Sequence, residues 1–172
     1  MKILVTWWSS TGNTKKVAEA IFEALPGEKT IKPFAEVESI DSYDLVFVGF
    51  PVRQFGVHAG VRKFISTHAA GKKIALFVTH AMLSQGNDPA KQRLLEKELE
   101  RCRTAFSESE LVGFFHCQGE LSEPVAAELM QSGIPMLQVF ASMQPLTSGH
   151  PDQSELEQAK DFTSKVITGD MR

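Results

Sequence analysis

Six consecutive residues, Ser9-Ser10-Thr11-Gly12-Asn13-Thr14, bring together four hydroxyls, one amide and one glycine, with no acid among them. Upstream, Ile3-Leu4-Val5 reads as a buried parallel strand; downstream, Val17, Ala18, Ile21, Phe22 and Leu25 recur at helical spacing. A strand that passes into a helix through such a loop aims free backbone N–H groups and the positive end of the helix dipole at one point. That is an anion site, most naturally for a phosphate. Hydroxyls add donors there without adding formal charge. A turn that merely caps a helix needs one such residue. The Walker loop requires a lysine that is missing here, and the dinucleotide fingerprint requires more glycines than this loop has.

With Ser9, Thr11, Gly12, Asn13 and Thr14 in this strand–loop–helix setting, the stretch resembles the FMN phosphate loop of flavodoxins, Thr/Ser-x-Thr-Gly-Asn-Thr. The resemblance implies FMN as cofactor, with Ser9, Ser10, Thr11, Gly12, Asn13 and Thr14 on the phosphate, and a role in electron transfer. A second loop, Gly49-Phe50-Pro51-Val52-Arg53-Gln54-Phe55-Gly56, is similar to the family's Gly-x-Pro-x-x-x-aromatic segment beside the isoalloxazine ring. It puts Pro51, Val52, Arg53, Phe55 and Gly56 near the ring. Phe55 is the first choice for stacking and Trp8 for covering another side, with core packing the alternative for both. An aromatic contact of this kind contributes roughly 0.5–1.5 kcal/mol beyond area burial. The sole tyrosine, Tyr43, lies before the third strand and not in a ring loop.

A third loop begins Thr79-His80-Ala81-Met82 and ends at Gln85-Gly86. Thr79, His80, Gln85 and Gly86 are expected to meet the ring edge, and His80 is also available as a proton donor to flavin or substrate. His58, His80 and His116 lie near strand ends without metal-ligating spacing, so no metal is expected. Cys117 reads as a buried apolar residue. Electron-carrying flavodoxins commonly surround the flavin with acids. Here Arg53, His58 and His80 stand against Asp88 and Glu120, which predicts an easier second reduction step.

The elements that must position these loops alternate almost to the end of the chain. Strands are expected at Lys2–Trp7, Thr30–Phe34, Leu45–Phe50, Lys73–Val78 and Leu111–Cys117. Helices fall at Asn13–Leu25, His58–His68, from Asp88-Pro89 onward, and from Asp152, where Glu155 completes a capping box. This is an α/β pattern: one doubly wound, five-stranded parallel sheet covered on both faces. The flavodoxin resemblance gives its order as 2-1-3-4-5. The 118–151 segment, with a short helix at Glu123–Gln131 and a second stretch at Met136–Met143, reads as an elaboration before the last helix.

The 172 residues suit one domain, and 42% hydrophobic content supports an ordinary core. A net charge of −3 gives no electrostatic case for nucleic acid. No apolar run is long enough for membrane insertion. Two unpaired-looking cysteines and the absence of a leader pattern at Met1 point to a reducing cytoplasm. A receiver domain would need acids after strands one and three, and a low-molecular-weight phosphatase a Cys-x5-Arg loop; neither is present. Two roles stay open: a carrier between redox partner proteins, or an FMN-dependent oxidoreductase acting on a quinone or other small-molecule acceptor.

Overall fold

A computed structural model describes residues 1–52, 57–82 and 88–170. The chain runs β1 (Ile3–Trp7), α1 (Asn13–Ala24), β2 (Lys29–Pro33), β3 (Leu45–Pro51), α2 (Ala59–His68), β4 (Lys73–His80), α3 (Pro89–Thr104) and β5 (Glu110–Gln118). It continues with α4 (Glu123–Gln131), α5 (Pro135–Ser142) and α6 (Gln153–Thr168). The five strands form one parallel sheet in the order β2-β1-β3-β4-β5, as the sequence pattern and the resemblance led us to expect.

Alternation along the strands sorts side chains onto two faces. Leu4, Val46, Val48 and Phe50 pack with Val61 and Phe64 of α2 and Leu95 and Leu99 of α3. Ile3, Val5, Leu45 and Phe47 pack with Val17 and Ile21 of α1 and Phe162 and Val166 of α6. Both faces are therefore apolar, which explains why the central strands read as unbroken hydrophobic runs. Gly49 is required by close packing: a Cβ there would lie 2.0 Å from the Phe77 ring.

Register brings the site loops together. Trp7 pairs with Gly49, Pro51 with Thr79, and His80 with Gln118, so the chain leaves four neighbouring strands along one sheet edge. The strands β4 and β5 extend beyond their expected ends to His80 and Gln118, because each continues to find ladder partners on its neighbour. At the other side, β2 stops at Pro33, and Phe34 opens a short 3-10 turn in which its ring stacks on Phe64 at 4.1 Å. Proline cannot carry the ladder onward.

The helix ends follow local chemistry. Asp88 accepts the Ala90 N–H at 3.0 Å ahead of Pro89, and the Asp152–Glu155 capping box forms with both of its hydrogen bonds. The 118–151 segment holds α4, α5 and a 3-10 turn at Gln144–Thr147. Leu121, Leu129 and Ala141 make a small core there, apart from the two sheet faces. Among the described residues no helix is long and apolar enough to cross a membrane.

Candidate functional site

The start of α1 differs from the other long helices in lacking a side-chain cap. Gly12 occupies the cap position with φ 94°, and the first turn carries no acid. That left-handed conformation suits glycine, which has no Cβ to clash. The helix thus begins with backbone N–H groups that no side chain satisfies. Ser9 Oγ accepts the Gly12 N–H at 3.0 Å and holds the bend.

The loop divides its polar groups between scaffold and surface. Thr14 is fully buried, and its hydroxyl lies 2.9 Å from that of Thr79, which is also buried. Asn13 Nδ2 donates to the Glu120 carbonyl at 2.8 Å, tying the loop to the segment after β5. That contact depends on Gly119: a Cβ there would come within 2.8 Å of Asn13 Nδ2. Gly119 is itself anchored by its N–H to the His80 carbonyl at 2.8 Å. Ser10, Thr11 and Asn13 open onto a cavity of about 740 Å³.

Pro51, Val52, Thr79 and His80 line the same cavity. Val52 N–H donates to the Thr79 carbonyl at 2.8 Å, so the ends of β3 and β4 hold each other. Trp8 stacks on His58, with centroids 4.2 Å apart and planes 13° from parallel. His58 also caps α2 by accepting the Gly60 N–H at 3.1 Å. Sequence reading missed this Trp8–His58 pair, because the residues are far apart in the chain and no spacing rule joins them. Arg53, Phe55, Gly56, Gln85 and Gly86 lie outside the described residues.

His80 is 3% exposed, and burial, with the nearby His116 second, pushes its pKa down to about 4. Its Nδ1 lies 3.0 Å from the Met82 carbonyl and its Nε2 lies 3.1 Å from His116 Nδ1. A carbonyl only accepts, so His80 Nδ1 carries the single ring proton and Nε2 accepts from His116. Burial likewise lowers His116. The expectation of His80 as a proton donor is corrected here: its proton already bridges to Met82, and the neutral ring is a strut.

The charge expectation rests partly on Arg53, which lies outside the described residues. Among the described residues, the cavity lining carries Glu98, Glu120 and Glu128 against Arg62. Positive charge does not dominate this lining. Glu98 is 7% exposed; Oε1 pairs with Arg101 at 2.5 Å, while Oε2 has no partner among the described residues. Glu120 was expected near the site, whereas Glu98 of α3 and Glu128 of α4 were not.

Burial pushes the thiol of Cys102 up to about 12 and that of Cys117 higher still, so neither is a nucleophile near neutrality. His150, Asp152 and Glu155 cluster with ligand-type atoms within 4.8 Å. Their bonds are structural: Glu155 Oε2 accepts from His150 Nδ1 at 2.6 Å and Asp152 N–H at 2.8 Å, and Oε1 accepts the Gln118 N–H at 3.0 Å. This cluster fastens the end of β5 to α6.

Comparison with known proteins agrees with this geometry. The chain is 30% identical over 180 residues to the flavodoxin-like domain-containing protein BilS of Clostridioides difficile (strain CD3), covering 97% of each. Its fold is similar to oxidised Flavodoxin 2 from Bacillus cereus, with TM-score 0.56 and 18% identity over 98% of this chain and 99% of that one. It is also similar to an azoreductase from Bacillus anthracis, with TM-score 0.52 and 12% identity over 96% and 99%. The flavodoxin domain model matches residues 4–164. With its sheet order and its uncapped first helix, the chain belongs to the flavodoxin domain family.

Proposed function

We propose that the protein holds FMN as its resident cofactor and works in electron transfer. The observation that carries this reading is the uncapped start of α1 behind the left-handed Gly12, opening beside Ser10 and Thr11 into the cavity. A dianionic phosphate fits there, since the first-turn amides, the helix dipole and hydroxyl donors converge and the first turn itself carries no acid. When bound, FMN supplies reversible electron uptake; the protein supplies position, burial and field.

The roles of the residues follow from their contacts. Ser10 and Thr11 offer hydroxyls to the phosphate, Asn13 and Thr14 contribute backbone amides, and Gly12 makes the bend that exposes them. Ser9, Asn13 and Thr14 keep the loop in shape through their side-chain bonds. Pro51, Val52, Thr79 and His80 bound the ring's space with His58, and Trp8, packed on the core outside the lining, braces His58. Arg53, Phe55, Gly56, Gln85 and Gly86 complete the ring loops in this reading. The buried free thiols of Cys102 and Cys117 suit a reducing cytoplasm.

FMN titration of the purified apoprotein tests this reading. Tight binding with a flavin absorption spectrum is expected, and loss of that binding on replacing Thr11 with valine together with Gly12 with valine. A protein that fails to bind FMN overturns it. The carrier role expects silence toward NAD(P)H until a reductase is added. A direct small-molecule acceptor is the second reading, favoured by the cavity's extension under α4 and α5.

A further inference from the structure

The cavity is larger in reach than the phosphate loop and strand ends that would hold a mononucleotide. It continues to Val125 and Leu129 of α4 and to Met136, Leu137 and Phe140 of α5. These helices add nothing to either sheet face, since their core of Leu121, Leu129 and Ala141 stands by itself. The fold closes its sheet without them. Their inward side chains nevertheless form one wall of the cavity.

Composition sets apart the α5 side of this wall, whereas α4 carries Glu123 and Glu128. From Leu129 to Pro151 there is no Asp, Glu, Lys or Arg, although charged residues make up 23% of the sequence. Met136 of α5 is 60% exposed and Leu94 of α3 is 49% exposed, and both line the cavity. Two large apolar side chains from separate elements thus stand open to water at one cavity, an arrangement that marks a binding site. Methionine adapts its shape to an apolar ligand.

Charge narrows the ligand class. Glu98, Glu120 and Glu128 line the cavity against Arg62 among the described residues. The Glu98 Oε2 has no partner there, so an anion gains no donor from it and meets repulsion. A bound FMN phosphate would add further negative charge.

We propose that the α4–α5 wall, with Leu94 and Met136 at its edge, forms a second compartment that takes a planar, apolar small molecule that is neutral or cationic and excludes anions. This rests on the FMN reading for what fills the other side of the cavity. The whole cavity, FMN side included, measures about 740 Å³, within the roughly 300–1,000 Å³ range of small-molecule sites, and the compartment is its α4–α5 part.

Equilibrium dialysis of the oxidised, FMN-loaded protein, with no electron donor present, tests the compartment. The probes are naphthoquinone and naphthoquinone sulfonate, planar molecules of the same core that differ in charge. The neutral probe is expected to bind at least about tenfold more tightly than the anion. Leu94→Glu and Met136→Glu, at exposed positions that leave the cores intact, should each weaken the neutral probe about tenfold and leave FMN affinity unchanged. Equal binding of the two probes, or neutral-probe affinity indifferent to both substitutions, would overturn the compartment while FMN binding stands. Failure to load FMN would instead count against the cofactor reading.

Discussion

The loop after β1 and the α4–α5 hairpin face the same cavity, yet they are built on opposite plans. The loop is dense with specific polar bonds: Ser9 to Gly12, Asn13 to the Glu120 carbonyl, Thr14 to Thr79. Its geometry is set to within a hydrogen-bond length, as a small, highly charged group requires. The hairpin offers a mainly apolar wall, with Glu128 of α4 in its lining, and a small core of its own. Apolar contact is non-directional, so such a wall tolerates variation in what it meets. One region is built on directed polar bonds, the other on apolar packing.

Breaking the polar side should produce the larger effects. Acid should come first, because His80 sits beneath the rigid part of the site. An unfolded imidazole binds a proton below pH 6.5, whereas folded His80 resists until about pH 4. The unfolded state therefore holds more protons in that window, and stability falls as pH drops through it. At about 1.4 kcal/mol per pH unit the loss reaches about 3 kcal/mol by pH 4. Chemical denaturation at a series of pH values measures it; His80→Phe should flatten the dependence.

Gly12→Val should come next. Forcing a β-branched residue to φ 94° costs roughly 1–3 kcal/mol, expected as a rise of about thirtyfold in the FMN dissociation constant. Flavin titration measures that change. Gly119→Ala should do less: the added Cβ displaces Asn13 from the Glu120 carbonyl. Loss of that bond predicts an affinity drop of about fivefold, the equivalent of about 1 kcal/mol. On the apolar side, Val139→Ser sharpens the contrast. Val139 is 62% exposed and does not line the cavity, so thermal melting should register a change within about 0.5 kcal/mol and FMN affinity none.

The comparison also explains what could be read in advance. The β1–α1 loop announces itself because all six of its residues are consecutive, and local geometry follows local sequence. The strand and helix pattern was legible for the same reason: Leu45–Phe50 and the Asp152–Glu155 box need no distant partner to be recognised. The Trp8–His58 stack, the His80–His116 bond and the acid from α3 were not legible. Each joins residues that chain distance separates and register unites. His80 shows the consequence most clearly. Its type suggests acid–base work, and only its burial and its two neighbours turn it into a neutral support.

By itself, then, the amino-acid order determined a parallel α/β sheet and a polar, glycine-bearing turn ahead of the first helix, because hydrophobic period, capping residues and glycine conformation act over a few residues. Tertiary structure alone decided which hydroxyls are tied into the scaffold, how the histidines share protons, and how far α4 and α5 extend the cavity. Those outcomes depend on burial and on contacts across strands, and neither is encoded in spacing along the chain.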